Sequence, residues 1–267
     1  MIKITFILDN VWVNTENTIE IMDIQRDITD KLIAWRESNP RLPLILQGAR
    51  QIGKTWTVTR FGECHFKHCA VFNFERTPEL EQIFLQTKDV HQILHELSYY
   101  STAPIGNDDC LIFFDEIQEC SAALNSLKYF AEDAPSIPIV AAGSLLGVAL
   151  NRSRNGFPVG KVHFEQMYPL SFKEYLRAAN SELFTQIDHL AGLKEPLPVA
   201  VFNHTAQYYL DYQICGGLPK ATSAFLDKEN IEMVEDILRD ILRAYELDFS
   251  KYSAPKEIGR ASCRERV

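Results

Sequence analysis

The sequence predicts an α/β fold. It is a three-layer sandwich in which helices cover both faces of a mostly parallel central sheet, with a largely helical segment after it. Three observations carry this. Short apolar runs alternate with stretches of helical spacing between about residues 22 and 180, the pattern of strands buried on both faces. One such run, Leu42-Pro43-Leu44-Ile45-Leu46, leads into Gly48-Ala49-Arg50-Gln51-Ile52-Gly53-Lys54-Thr55. Another, Cys110-Leu111-Ile112-Phe113-Phe114, ends in Asp115-Glu116. Ligands of such sheets bind at the carboxyl ends of the strands, where both of these stretches fall.

The first stretch reads G-x-x-x-x-G-K-T, the phosphate-binding P-loop, and it has the strand before it and the helix after it that the motif requires. Its glycines let the backbone curl so that successive N–H groups point inward at phosphate oxygens, and the helix N-terminus adds partial positive charge. Gly48, Ala49, Arg50, Gln51, Ile52, Gly53, Lys54, Thr55 and Trp56 are therefore the candidate nucleotide-binding residues. Lys54 is placed to reach the β- and γ-phosphates, and the Thr55 hydroxyl to ligate Mg²⁺.

The second stretch has the hhhhDE form of a Walker B strand. Asp115 is the second candidate Mg²⁺ ligand, and Glu116 the candidate base that polarises the attacking water. Adjacent strand residues point to opposite faces, so the backbone must turn after Asp115 for both carboxylates to serve one site. Some sixty residues separate the two motifs, room for a strand and helices, as in P-loop ATPases with an added central strand and a catalytic glutamate. The strand that follows, Ile139-Val140-Ala141-Ala142, ends at Gly143-Ser144. Ser144 is the candidate γ-phosphate sensor, with the capping of a turn as the competing role. Gln118, two residues past Glu116, is a further polar group that could face the nucleotide.

Taken in order, Ile24, Ile28, Leu32 and Trp35 at helical spacing predict an amphipathic helix over 23–35. A strand at 70–74, helices at 78–87 and 89–100, and the strand at 110–116 follow. Then come a helix over 121–132 with Ser121 as N-cap and strands at 137–142 and 162–164. From about Ser171 the text turns helical, at 172–179, 200–214 and 231–247, with Gly216-Gly217-Leu218-Pro219 as a break. Residues 1–21 stand outside this pattern, as an edge strand or an extension from a mis-called start codon.

Composition excludes several classes. The net charge of −9 does not support non-specific nucleic-acid binding. No apolar run approaches the ~20 residues of a membrane span. The N-terminus lacks the form of a secretory signal, so the six cysteines are expected as reduced thiols in a cytoplasm. Cys64-His65 and His68-Cys69 crowd too closely for a zinc site. Tyr208, Tyr209 and Tyr212 read as packing, and Glu232, Glu235, Asp236 and Asp240 as a solvated helix face. The last ten residues, Ile258 to Val267, match a translated frame of a common sequencing adapter at every position, so residues 258–267 are expected to be an artefactual tail on a truncated chain.

Several stretches together resemble the prokaryotic AAA+-type ATPases. They are the P-loop, Phe113-Phe114-Asp115-Glu116-Ile117-Gln118, Gly143-Ser144, Tyr168-Pro169-Leu170-Ser171-Phe172-Lys173-Glu174-Tyr175-Leu176, Gly216-Gly217-Leu218-Pro219 and Asp248-Phe249-Ser250-Lys251. The resemblance spans about residues 22–256 and runs in order. It implies an ATPase core over 22–180 and a helical, partly winged-helix-like and lid-like segment over 181–257. It also implies a C-terminal nuclease-like domain that this chain lacks. ATP is the implied nucleotide and Mg²⁺ the implied cofactor, with a homo-oligomer or a partner protein as further partners. The family's glycine-arginine pair is Gly160-Lys161 here. Lysine lacks the planar fork of arginine, so an arginine-finger role does not carry over, and Arg152 and Arg154 are the nearby alternatives. The expected function is Mg-dependent ATP hydrolysis driving a conformational change in the attached C-terminal domain. A nucleotide-dependent switch with little hydrolysis is the alternative. A small-molecule kinase has no acceptor-pocket or lid signature here.

Overall fold

The computed structural model describes residues 24–144, 160–193, 196–228 and 230–252. The expected strand at 1–21, Arg152, Arg154 and the tail at 258–267 lie outside these residues. Five strands form one sheet: β1 (Leu44–Gln47), β2 (His68–Asn73), β3 (Cys110–Asp115), β4 (Ile139–Gly143) and β5 (His163–Gln166), in the order β2-β3-β4-β1-β5. Every pairing is parallel. Helix α1 (Ile28–Glu37) precedes β1; α2 (Lys54–His65), α3 (Leu80–Gln86), α4 (Val90–Ser98) and α5 (Ser121–Asp133) make the crossovers from β1 to β4, and α6 (Phe172–Ala179) follows β5.

The strands alternate strictly between two cores, as a period of two demands. Ile45, Ile112, Phe114, Ile139 and Ala141 pack with Ile93, Leu97, Leu124 and Phe130 of α4 and α5. Leu44, Leu46, Leu111, Phe113, Val140 and Ala142 pack with Leu32, Trp35, Val58 and Phe61 of α1 and α2. This is the expected three-layer α/β sandwich of a P-loop NTPase. It is followed by a helical segment: α7 (Ser181–Leu193), α8 (Val199–Cys215), α9 (Pro219–Leu226) and α10 (Ile231–Tyr252). These helices form a third core with Tyr175 of α6 at its centre.

Three local expectations are corrected. Helix α1 begins at Ile28, not at residue 23; Ile24 and Arg26 precede it and are buried. The N-cap of α5 is Cys120, not Ser121, and its Sγ accepts from the Ala123 N–H at 3.3 Å. Cys120 has the extended backbone that a cap needs, whereas Ser121 is already helical. Helices α7 and α9 were not expected. The residues of α7 are mostly exposed, with Leu183 buried, and α9 opens with Pro219 at its first turn, where the missing N–H is no cost. The break at Gly216-Gly217 is real: a side chain on Gly217 would meet the Leu170 carbonyl oxygen at 2.5 Å.

Candidate nucleotide site

The loop between β1 and α2 curls around Lys54. Its ammonium donates to the carbonyl oxygens of Gly48 at 2.9 Å and Ala49 at 2.6 Å. Gln51 and Gly53 take left-handed backbone conformations, with φ of 61° and 89°. Gly48 has no room for a side chain, because a Cβ there would lie 2.5 Å from the Met167 carbonyl oxygen. Burial lowers the pKa of Lys54, and the charges of Glu116 and Asp115 oppose that shift.

Thr55, the second residue of α2, faces the end of β3. Its hydroxyl donates to Asp115, at 3.0 Å from Oδ2 and 3.2 Å from Oδ1. Asn73, which ends β2 in register with Asp115, donates through Nδ2 to the same carboxylate at 3.0 Å. Asp115 is buried and its pKa is raised, chiefly by desolvation, with the Thr55 hydrogen bond opposing. Glu116 then turns the chain. It sits in the left-handed region at φ 50°, ψ 44°, a costly conformation for a residue with a side chain. That turn is the device which two consecutive carboxylates at a strand end require. Gln118 Nε2 donates to Glu116 Oε2 at 2.6 Å.

Ser144, at the end of β4, accepts from Arg50 Nε at 3.2 Å. Because β4 lies between β1 and β3, Ser144 stands between the loop and the carboxylates. Trp56 lines a groove of about 320 Å³ beside the loop with Ile24, Gln25, Thr29 and Arg60. Lys161 forms a half-exposed ion pair with Glu132 at 3.0 Å.

Three contributors are missing from the sequence reading. Arg26 is buried, and each of its guanidinium nitrogens is bonded: Nε to Glu174 Oε1 at 3.0 Å, Nη1 to the Ile52 carbonyl at 2.8 Å and Nη2 to the Tyr168 carbonyl at 2.7 Å. Glu174 also closes a capping box on Ser171 at the start of α6, a local S-x-x-E pattern that was legible. Arg26 therefore ties the P-loop to the segment after β5. Asn73 is the second, and its one available sign was a polar residue at a strand end. Tyr245 of α10 is the third; its hydroxyl donates to the Arg50 carbonyl at 2.6 Å. Pro219 also approaches Gly53, its Cγ lying 3.5 Å from where a Cβ would be. The helical segment thus bonds to the loop at Arg50 and passes close to it at Gly53.

The pKa of Asp115 yields a prediction for the nucleotide-free protein. Its folded-state value is raised above the unfolded one, so the folded state binds the proton more tightly and stability falls as pH rises through that interval. Asp115→Asn is expected to raise Tm near neutral pH, with the gain shrinking as pH falls and vanishing below about pH 4, the unfolded-state pKa, where both states hold the proton. Thermal melts across that range check it. A gain independent of pH would trace the effect to something other than the buried charge.

A profile of the family described as AAA domain matches residues 40–176, just over half of the chain, and the chain belongs to this family of P-loop ATPases. Among solved structures it is similar to the Walker-type ATPase PABY2304 of Pyrococcus abyssi, at 13% identity and a TM-score of 0.50, covering 90% of this chain and 77% of that one. A weaker likeness is to a Thermotoga maritima RuvB mutant, at 16% identity and a TM-score of 0.44, covering 84% and 65%. Another is to the Drosophila ORC bound to DNA, at 16% identity and a TM-score of 0.43, covering 81% and 65%. A search of curated protein sequences finds no significant match. Among the described residues no helix is long and apolar enough to cross a membrane, and no group of three or more His, Cys, Asp or Glu converges to hold a metal ion.

Proposed function

We propose that the protein is a Mg-dependent ATPase whose nucleotide cycle moves the helical segment and, through it, an attached C-terminal domain. The observation that carries this reading is the left-handed turn at Glu116, directly after Asp115, with the charges of both carboxylates acting on Lys54. Amides of residues 49–54 and the Lys54 ammonium bind the triphosphate, and the groove beside Trp56 takes the adenine. The Thr55 hydroxyl and the Asp115 carboxylate fit a hard divalent cation: both offer oxygen, and the side-chain hydrogen bonds the carboxylate accepts come from the neutral donors Thr55 and Asn73. Mg²⁺ bound there would screen the phosphate charge and orient the terminal phosphoryl group. Glu116 takes a proton from water as the water oxygen bonds to the γ-phosphorus. The bond from phosphorus to the bridging oxygen breaks, and its electron pair leaves with ADP. Ser144 senses the γ-phosphate. The bond from Tyr245 to the loop, with Pro219 close by, supports transmission to the helical segment, which closes on the core as the nucleotide changes.

One observation favours the alternative of a switch with little hydrolysis. The short bond from Gln118 to Glu116 occupies one oxygen of the base.

The test is Mg-ATP binding and phosphate release by the full chain beside Lys54→Ala. The variant is expected to lose about 10- to 150-fold in ATP affinity, the worth of a charged hydrogen bond. Binding with turnover supports the ATPase reading, and binding without turnover supports the switch. A folded wild-type chain that binds no nucleotide would overturn the role given to Gly48–Thr55.

A further inference from the structure

We propose that the side chain of Arg50 is a catalytic residue: its guanidinium binds the terminal phosphoryl group of the bound nucleotide and neutralises charge there during transfer to water. This rests on the ATPase reading above.

Position is the first argument. Gln47 pairs in register with Gly143, so the chain segments that leave β1 and β4 do so side by side at the carboxyl edge of the sheet. Arg50 and Ser144 lie just beyond that pair. The second argument is direction. Arg50 is half-buried, and Nε donates to Ser144 Oγ at 3.2 Å. The guanidinium is thereby drawn across the strand ends, over the place where the proposed sensor reads the γ-phosphate. The third is anchoring. The carbonyl of Arg50 accepts from Tyr245 at 2.6 Å, and the next residue, Gln51, is left-handed, so the backbone that carries the side chain is held on both sides.

The chemistry of the side chain supports the same reading. Arginine suits the terminal phosphoryl group because its planar fork presents parallel donors to two oxygens, whereas Lys54 acts as a point charge.

The experiment compares the wild-type chain with Arg50→Ala and Arg50→Lys. It reads equilibrium binding of ADP, ATP and ADP–aluminium fluoride, the last a mimic of the phosphoryl group in transfer, together with steady-state phosphate release. Arg50→Ala is expected to bind ADP almost as the parent does, to bind ATP about 10-fold or more weakly, and to lose about 100- to 1,000-fold in phosphate release along with the tight aluminium fluoride complex. Arg50→Lys is expected to recover part of the preference for ATP over ADP but not the aluminium fluoride complex. The binding arms decide the matter even where turnover is slow. An Arg50→Ala chain with an unchanged ATP-to-ADP preference overturns the proposal. Equal losses for ADP and ATP do so too, by showing that the side chain serves the shape of the loop. Faster release in Arg50→Ala overturns it by showing that the side chain blocks the site. A wild-type chain that binds neither nucleotide refutes the function proposed above instead.

Discussion

Glu116→Gln is expected to bind Mg-ATP as the parent chain does and to release phosphate about 100- to 10,000-fold more slowly, the usual contribution of a positioned general base. The substitution keeps the shape of the side chain and its bond from Gln118, but the carboxamide cannot take a proton from water. The left-handed backbone at Glu116 makes the position informative. A residue held in that conformation after a fully buried strand has a reason to be there beyond packing, since glycine would occupy it at less cost. Equilibrium ATP binding and single-turnover phosphate release, measured on the same preparation, separate the two effects. Turnover at the parental rate would remove Glu116 from the chemistry, and loss of binding would recast it as part of the cradle.

Arg26→Ala is expected to cost about 3–5 kcal/mol of folding stability, the range for breaking a buried ion pair by deleting one partner. Arg26 and Glu174 are both about 5% exposed. Without the guanidinium, the Glu174 carboxylate keeps two backbone N–H donors, from Asp27 at 2.8 Å and Ser171 at 2.7 Å, but loses its counter-charge. The carbonyls of Ile52 and Tyr168 lose their donor as well. Urea unfolding monitored by tryptophan fluorescence reads the change, since Trp35 and Trp56 lie in and beside the core that α1 and α2 form. Glu174→Gln keeps one oxygen for the Arg26 and Asp27 donors but loses the acceptor for the Ser171 N–H, and is expected to be milder than Arg26→Ala. Equal stability of Arg26→Ala and the parent would mean that water replaces the guanidinium without penalty, contrary to the burial of that site.

Much of the site was legible because its chemistry is written in contiguous residues. A P-loop is a local backbone shape, and its glycines and Lys54 occur together because the shape needs them together. The two carboxylates follow an unbroken apolar run because that run crosses the sheet between two cores and ends at its edge. The alternation of Leu44, Ile45 and Leu46 between opposite faces follows from strand geometry alone. Helices α7 and α9 were harder to read: α7 is mostly exposed, with Leu183 buried, and α9 opens at Pro219, inside a stretch that reads as a break.

The sequence by itself determined the α/β class, the order of strands and helices through the core, and the candidate residues at the ends of β1, β3 and β4. Each of these depends on periodicity or on a motif a few residues long. Only the tertiary structure decided that β4 separates β1 from β3 and so sets Ser144 against Arg50. It alone decided that Arg26 meets Glu174 across 148 residues, and that Tyr245 reaches the Arg50 carbonyl across 195. The reason is physical. Local propensity and hydrophobic period act between neighbours in the chain, whereas the choice of a distant partner depends on which surfaces pack once the whole chain has closed, and no short pattern encodes that choice.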